Sequence, residues 1–355
     1  MKQLKVLESD LVNEWCMPDG SPLDDSDRQL LERFIDKYYR AKSKVTVYRG
    51  TFDVSRYGVD LDNIGPLSDM LFMLGEKANR YARDNDWKFD INDVSDNVFA
   101  ELFDRLHEIF TSSAEPERYT SRKEFLKENP GIKGFFEAPG NKDKFLKKIK
   151  GLACRADVKD YYVALLHAFD AGRQFPACYM ISTSKKYEQA LSFLRGKTKK
   201  DEGILIISWV PSSEQDRFLK YQDLNECNKQ IESLDLPVYK SSPFPEEDEI
   251  CIKAIIPPQY ILGYIHTEKK AFIPNPNLIE MVRTLYHHLD RKLSRAERED
   301  TPRGKKERDP ISAIITEGIP IDQSAFMKRF EEAKFTGYAY IEGEGKYKEV
   351  KRDHK

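Results

Sequence analysis

Cysteine is scarce in this chain of 355 residues, and long apolar runs are missing from it. The five cysteines are scattered and form no C-x-x-C pair. This pattern predicts neither a disulfide framework nor a zinc site, and it suits a reducing compartment. No run approaches the roughly 18 apolar residues of a membrane helix, and residues 1–10 lack the apolar centre of a signal peptide. We therefore expect a cytoplasmic protein without a membrane partner, although export by a signal that cannot be recognised in the sequence stays open.

An excess of charge of one sign is also lacking. The chain has 58 Lys and Arg against 60 Asp and Glu, for a formal net charge of −2. This balance excludes a globally basic, histone-like binder but leaves room for a local nucleic-acid groove. The six histidines include no H-E-x-x-H motif, so no metal is expected. Hydrophobic residues make up 40% of the chain, which is enough for a sizeable core.

The hydrophobic periodicity predicts an α+β fold. Residues 25–41 have an apolar stripe at helical spacing, and 45–49 alternate as in a strand that ends at Gly50. Helical patterns dominate 66–170 and return at 188–194 and 278–293. Short segments rich in β-branched and aromatic residues predict further strands at 177–184, 203–210, 249–256 and 260–265.

Three local patterns add detail to this outline. Ser26 and Gln29 have the spacing of a helix capping box. The Pro- and Gly-rich segment 128–140 predicts a loop. The lysines between 142 and 150 predict a solvated helix face rather than a nucleic-acid patch.

Three short segments carry residues suited to chemistry, and each lies in or beside a predicted strand. They are Val47-Tyr48-Arg49-Gly50, Ser182-Thr183-Ser184 and Glu247-Asp248-Glu249. An arginine can hold a diphosphate with its planar fork, and a hydroxyl can orient a carboxylate. A carboxylate can stabilise a developing cation, as in glycosidic cleavage through an oxocarbenium-like state.

In this order the segments resemble the mono-ADP-ribosyltransferases of the arginine–serine–glutamate class, the class of the clostridial binary toxins and the arginine-specific ectoenzymes. The aromatic-Arg element is 48–50, the strand ending in S-T-S is 179–184, and the E-x-E motif opening an apolar strand is 247–252. Phe244 lies three residues before the first glutamate, where many members have an aromatic. Ala190 and Phe193 fit the helix that follows S-T-S. The resemblance covers about 41–270.

This resemblance implies a fold of two packed β-sheets with NAD⁺ in the cleft between them as co-substrate, and no metal. Arg49 would hold the NAD phosphates, and the backbone of Gly50 would meet the nicotinamide amide. Ser182 would position Glu249, whose carboxylate would stabilise the cationic transition state. Further NAD contacts are implied for Thr183, Phe193 and Arg195.

The resemblance also implies how the acceptor is recognised. Glu247 would orient or deprotonate the acceptor. Prolines at 237, 243 and 245 predict an exposed loop over 236–245 that presents Phe244 to it.

Arg49 and Ser182 lie further apart in sequence than is usual for the class, so a helical insertion is expected between them. We predict an ADP-ribosyltransferase-like domain at 1–300, with a core at about 41–60 and 171–270 and an insertion at about 61–170. Residues 301–355 would form a charged linker and a small appendage. Lys253 stands where many relatives have a proline nearby, which leaves the end of that strand open.

The resemblance implies an enzyme that cleaves the nicotinamide–ribose bond and passes ADP-ribose to a macromolecular acceptor. Glu247 favours a protein side chain such as arginine. Three alternatives stay open: a transferase acting on RNA or DNA, an NAD glycohydrolase with water as acceptor, and an inactive module that keeps the fold for binding. A bacterial toxin or phage-defence effector, paired with an antitoxin or another inhibitory partner, would fit such an activity.

Overall fold

The computed structural model describes most of the chain in fourteen ranges, and the account below is confined to them. The described residues are 5–42, 44–51, 61–62, 64–76, 93–111, 120–169, 180–194, 203–211, 224–240, 248–253, 255–296, 310–321, 337–341 and 346–350.

Helices and strands both contribute heavily to the described part of the chain. The helices are α1 Asp25–Arg40, α2 Ile64–Asp69 with a π-helical turn at Met70–Leu74, α3 Asp96–Thr111, α4 Thr120–Glu128, α5 Pro130–Glu137, α6 Asn141–Ile149, α7 Arg155–Phe169, α8 Tyr187–Ser192, α9 Leu224–Ser233, α10 Pro276–Ala296 and α11 Pro310–Glu317. The strands are β1 Glu14–Trp15, β2 Lys44–Thr51, β3 Met180–Ser184, β4 Ile204–Pro211, β5 Glu249–Lys253, β6 Ile261–His266, β7 Ala271–Pro274, β8 Gly337–Ile341 and β9 Lys346–Val350.

The strands form a seven-stranded mixed sheet in the order β1-β7-β6-β4-β2-β3-β5, and β8 and β9 form a separate antiparallel pair. The α+β class predicted from the sequence is therefore confirmed. The finer expectation of two packed sheets around a cleft stays a prediction.

The chain divides into two compact units, each assembled from separate stretches. The first unit comprises residues 1–83, 183–219 and 255–355, and the second comprises 84–182 and 220–254. The boundary runs through β3, between Ser182 and Thr183. Helices α3 to α7, which lie in the predicted insertion, all belong to the second unit.

In the first unit the sheet is built around β4. All eight residues of β4 are buried, which explains its nearly continuous apolar sequence. It pairs antiparallel with the full length of β2, from Lys44 opposite Pro211 to Thr51 opposite Ile204. On its other side it pairs with β6, with an irregularity between Ile207 and Ser208.

Helix α1 lies in the same unit and buries its apolar stripe, including Leu31, Phe34 and Tyr38. The expected capping box is wrong: the N-cap is Asp24, whose carboxylate accepts a hydrogen bond from the backbone N–H of Ser26 at 2.8 Å. Asp is as good an N-cap as Ser, so the earlier residue takes the position. On the same helix Asp27 accepts two hydrogen bonds from Arg283 of α10.

The second unit has an aromatic core between its helices. Phe103, Phe136 and Phe145 lie with ring centroids 5.3 to 5.8 Å apart, and Tyr162 packs on two of them. Aromatic side chains bury large areas and favour such tilted and edge-on contacts. The unit is therefore stabilised mainly by ring packing between helices.

The predicted loop at 128–140 is wrong in its central part, because α5 occupies Pro130–Glu137. Proline is tolerated at the first position of a helix, where its missing N–H has no partner to lose. Ile132 and Phe136, four residues apart, are both buried, and this apolar spacing holds the helix against its neighbours.

The segment 236–240, which follows α9, is only partly exposed, whereas an exposed loop was predicted: Lys240 is exposed, but Leu236 and Tyr239 are buried. Leu236 and Tyr239 are 4% and 3% exposed. Four side chains hold its backbone: Tyr162 donates to the carbonyl of Pro237, and Tyr161 accepts from the N–H of Tyr239. Asn228 donates to the Tyr239 carbonyl, and Asn129 accepts from the N–H of Lys240. These side chains replace the ladder partners that this irregular backbone lacks. The rest of the predicted loop, 241–245, lies outside the described residues.

Candidate functional site

The structure describes six of the predicted site residues, distributed over both units. Arg49, Gly50, Thr183 and Phe193 belong to the first unit, and Ser182 and Glu249 belong to the second. Glu247, Phe244 and Arg195 lie outside the described residues.

Arg49, on β2, forms an ion pair with a residue that the sequence analysis did not single out. Its Nε donates to Oε1 of Glu76 at 2.7 Å. The side chain of Glu76 is fully buried and that of Arg49 is 13% exposed. A buried carboxylate is strongly disfavoured without such a partner, so the two charges depend on each other.

A tight backbone arrangement places Glu76 beside Arg49. The π-helical turn Met70–Leu74 ends at Gly75, whose φ of +91° favours glycine. A Cβ at Gly75 would lie 2.4 Å from the carbonyl oxygen of Ile256. Glu76 then exchanges two backbone hydrogen bonds with Ile256, at 3.1 and 3.2 Å. The position of the carboxylate therefore follows from a glycine turn and a β-bridge.

Gly50, the residue after Arg49, is explained by close packing within its own unit. A Cβ there would lie 2.1 Å from the carbonyl oxygen of Ala190 and 3.2 Å from Leu194. Helix α8 packs on β2 at this point. Glycine is thus required at position 50 whatever its backbone binds.

Tyr48, the residue before Arg49, is buried and lies edge-on to Tyr187 with centroids 6.0 Å apart. Burial raises the pKa of Tyr48, so its hydroxyl stays protonated at neutral pH. In the sheet it lies opposite Ser184 of β3. The tyrosine is a core residue that fixes the strand carrying Arg49.

The S-T-S segment has two buried residues and one that is partly exposed. Thr183 and Ser184 are buried, and the Oγ of Ser184 accepts from the backbone N–H of Lys186 at 3.1 Å. Ser182 is partly exposed. Phe193, also partly exposed, lies directly after α8.

The second unit brings Ser182 and Glu249 to one histidine. Nε2 of His167 lies 2.7 Å from Oγ of Ser182 and 3.8 Å from Oε1 of Glu249. The side chains of His167 and Glu249 are 22% and 12% exposed. The three residues come from α7, β3 and β5, so the cluster joins positions more than eighty residues apart in sequence.

Local structure positions Glu249 and His167 in this cluster. Asp248 has φ of +44°, in the left-handed region that aspartate tolerates better than most residues, and Glu249 begins β5 immediately after it. At the other end of β5, Lys253 pairs with Asp160 of α7 at 3.3 Å. His167 lies in the last turn of the same helix.

Sequence reasoning missed both Glu76 and His167. The available signal was the same in each case, a polar residue beside an apolar run: Glu76 follows Met70–Leu74, and His167 lies within the apolar stretch 161–169. Such a residue needs a partner when it is buried, although the sequence does not name that partner.

The cluster differs in geometry from a Ser–His–acid hydrolytic triad. In a triad the hydroxyl and the carboxylate lie at opposite ring nitrogens. Here both approach Nε2. The arrangement suits a carboxylate oriented by polar neighbours, rather than a serine nucleophile with its base.

Comparisons with known proteins do not assign the chain to a family. No family model, curated protein or solved structure matches it. In the part of the chain that the structure describes, no helix is long and apolar enough to cross a membrane. Among the same residues, no group of three or more His, Cys, Asp or Glu side chains is placed to hold a metal ion.

Proposed function

We propose that the protein is an NAD-dependent mono-ADP-ribosyltransferase that transfers ADP-ribose to a macromolecular acceptor. The observation that carries this proposal is the convergence of Ser182 and Glu249 on one partly exposed polar cluster. The resemblance to the arginine–serine–glutamate class pairs the same two residues.

In this proposal Glu249 acts on the nicotinamide ribose. The bond between the ribose C1′ and the nicotinamide nitrogen breaks, and both bonding electrons leave with neutral nicotinamide. The oxocarbenium-like centre gains stabilisation from the Glu249 carboxylate. The acceptor then forms a bond to C1′ and loses a proton, for which Glu247 stays the predicted base.

Arg49 would serve the NAD diphosphate while keeping its contact with Glu76. A guanidinium suits a diphosphate because its N–H donors lie in one plane, and in Arg49 the contact with Glu76 is made through Nε. A buried negative charge beside the arginine also weakens its attraction for an added phosphate, since the two anions compete for one cation. Arg49 would therefore position the diphosphate through directed hydrogen bonds more than through its net charge.

The acceptor class can be determined by labelling. Purified protein is incubated with NAD labelled in the adenylate moiety and a cell lysate, and the labelled product is digested separately with protease and nuclease. Protease-sensitive label supports a protein acceptor, and nuclease-sensitive label supports RNA or DNA.

A second readout of the same reaction separates transfer from hydrolysis. Release of free ADP-ribose without macromolecular label would indicate an NAD glycohydrolase. Absence of any NAD consumption, with a protein that is folded by circular dichroism, would refute the proposal and favour a binding module.

A further inference from the structure

The hydrogen-bonding direction around His167 follows from the oxygens that surround its Nε2. Glu249 contributes a carboxylate oxygen at 3.8 Å, and an ionised carboxylate can only accept hydrogen bonds. Ser182 contributes a hydroxyl oxygen at 2.7 Å that can either donate or accept. The protonation of Nε2 therefore decides which way the serine proton points.

If Nε2 had no proton, its lone pair would accept from Ser182 and would also face the Glu249 carboxylate. Two electron-rich atoms would then approach each other in a largely buried place, where electrostatic repulsion is poorly screened. If Nε2 carries the proton, both oxygens face a positive N–H dipole. His167 also lies in the last turn of α7, where the helix dipole favours positive charge.

We propose that His167 is a positioning residue of the Glu249 site: its Nε2–H donates to Oγ of Ser182 and faces the Glu249 carboxylate, which it helps to orient. The serine proton is thereby directed away from the imidazole. This role rests on the proposed function insofar as it concerns catalysis, whereas the hydrogen-bond direction can be measured independently.

The first experiment reads the tautomer. Long-range ¹H–¹⁵N spectra of the full chain at pH 8 resolve the histidine rings, and His167→Gln identifies the signal of His167. A proton on Nε2 supports the proposal. A neutral ring protonated only at Nδ1 would overturn it, whatever the protein does with NAD.

The second experiment measures NAD consumption by two His167 variants. Glutamine carries an amide N–H near the place of Nε2, whereas leucine has a similar size and no donor. We expect His167→Gln to keep kcat within about threefold of the wild type. We expect His167→Leu to lower kcat about 10- to 100-fold with little change in KM for NAD, because the lost contact orients a reacting group rather than binding substrate.

His107→Leu is the matched control. His107 lies in the same unit and bonds the Phe136 carbonyl through Nδ1 at 2.7 Å, so its loss also removes one histidine hydrogen bond. We expect wild-type kcat from this variant. Wild-type kcat in His167→Leu, or an equal loss in His167→Gln, would overturn the positioning role. Absence of NAD turnover in the wild type would refute the proposed function, and the tautomer would then decide the inference alone.

Discussion

The two polar clusters of this protein use their charges differently. In the Arg49–Glu76 pair a fully buried carboxylate meets a guanidinium at 2.7 Å. In the His167–Ser182–Glu249 cluster a carboxylate that is 12% exposed lies beside a hydroxyl and an imidazole, with 3.8 Å to the ring nitrogen. The first geometry pairs two opposite charges away from solvent. The second leaves a carboxylate near solvent within a group of weaker polar contacts.

This difference separates motif residues that structural contacts already explain from motif residues that such contacts leave unexplained. The ion pair with Glu76 is enough to explain why an arginine is present at position 49. Close packing is enough to explain the glycine at position 50. The ion-pair contact of Glu249 is a longer one, 3.8 Å to the ring nitrogen of His167. The glutamate is therefore the stronger indicator of chemistry, and the arginine the stronger indicator of structure.

Removal of Glu76 tests the structural side of this comparison and has the largest expected effect. Glu76→Ala leaves the largely buried guanidinium of Arg49 without its carboxylate, which typically costs about 3–5 kcal/mol. We expect a corresponding fall in the free energy of unfolding, measured by urea titration. The control Glu32→Ala breaks the exposed pair with Arg28 and should cost no more than about 1 kcal/mol. Equal losses in both variants would mean that the buried pair stabilises the protein no more than an exposed pair does.

Neutralisation of Glu249 tests the chemical side. Glu249→Gln keeps the shape of the side chain but removes the charge that stabilises the oxocarbenium-like state, so NAD turnover should fall about 10²- to 10³-fold. The melting temperature should change little. Glu232→Gln, an exposed position of α9 in the same unit, serves as the control and should keep full activity. Near-wild-type turnover in a folded Glu249→Gln protein would refute the assignment.

The substitution Arg49→Lys tests whether Arg49 both pairs with Glu76 and binds the NAD diphosphate. Lysine keeps the positive charge for Glu76 but loses the planar fork that suits a diphosphate. We expect Arg49→Lys to raise the Kd for NAD about tenfold in calorimetry while the protein stays folded, a loss in the range of one charge-assisted hydrogen bond. An unchanged Kd would confine Arg49 to its structural role.

The smallest expected effect concerns the acceptor. If Phe244 contacts the acceptor, Phe244→Ala should lower transfer severalfold without changing NAD hydrolysis or the melting temperature, since an aromatic contact is worth about 1 kcal/mol. A fall in the free energy of unfolding of roughly 3–5 kcal/mol, with unchanged transfer by the folded fraction, would instead identify Phe244 as a core residue.

The sequence predicted most elements of the fold because their periodicity is strong. The apolar stripe of α1 and the continuous apolar run of β4 both lie where they were expected. The two-residue strand β1 is too short to show a pattern, and its pairing with β7 depends entirely on tertiary contacts. Helix α5 is not predicted by the proline and glycine content of its segment, because proline breaks a helix in its interior but is tolerated at its first position.

The site was predictable in its motifs and unpredictable in its partners. Ser182 and Glu249 stood out by residue type and strand context. Glu76 and His167 did not, because each contacts its partner across a long sequence separation: Glu76 reaches Arg49, and His167 reaches Glu249. A single sequence encodes which residues need a partner but not which residue supplies it.

The four side-chain hydrogen bonds to the backbone of 237–240 have a consequence for which changes of sequence this protein can accept. They fix the chain up to Lys240, and β5 fixes it again from Glu249. The stretch between is thus bounded by two anchors that belong to the framework of the second unit. Doubling the length of a connection costs only about 0.6 kcal/mol in closure entropy. Substitutions and insertions at 241–246 should therefore be tolerated without loss of the fold of the second unit, so that descendants of this chain can diverge in what they bind while they retain Glu249.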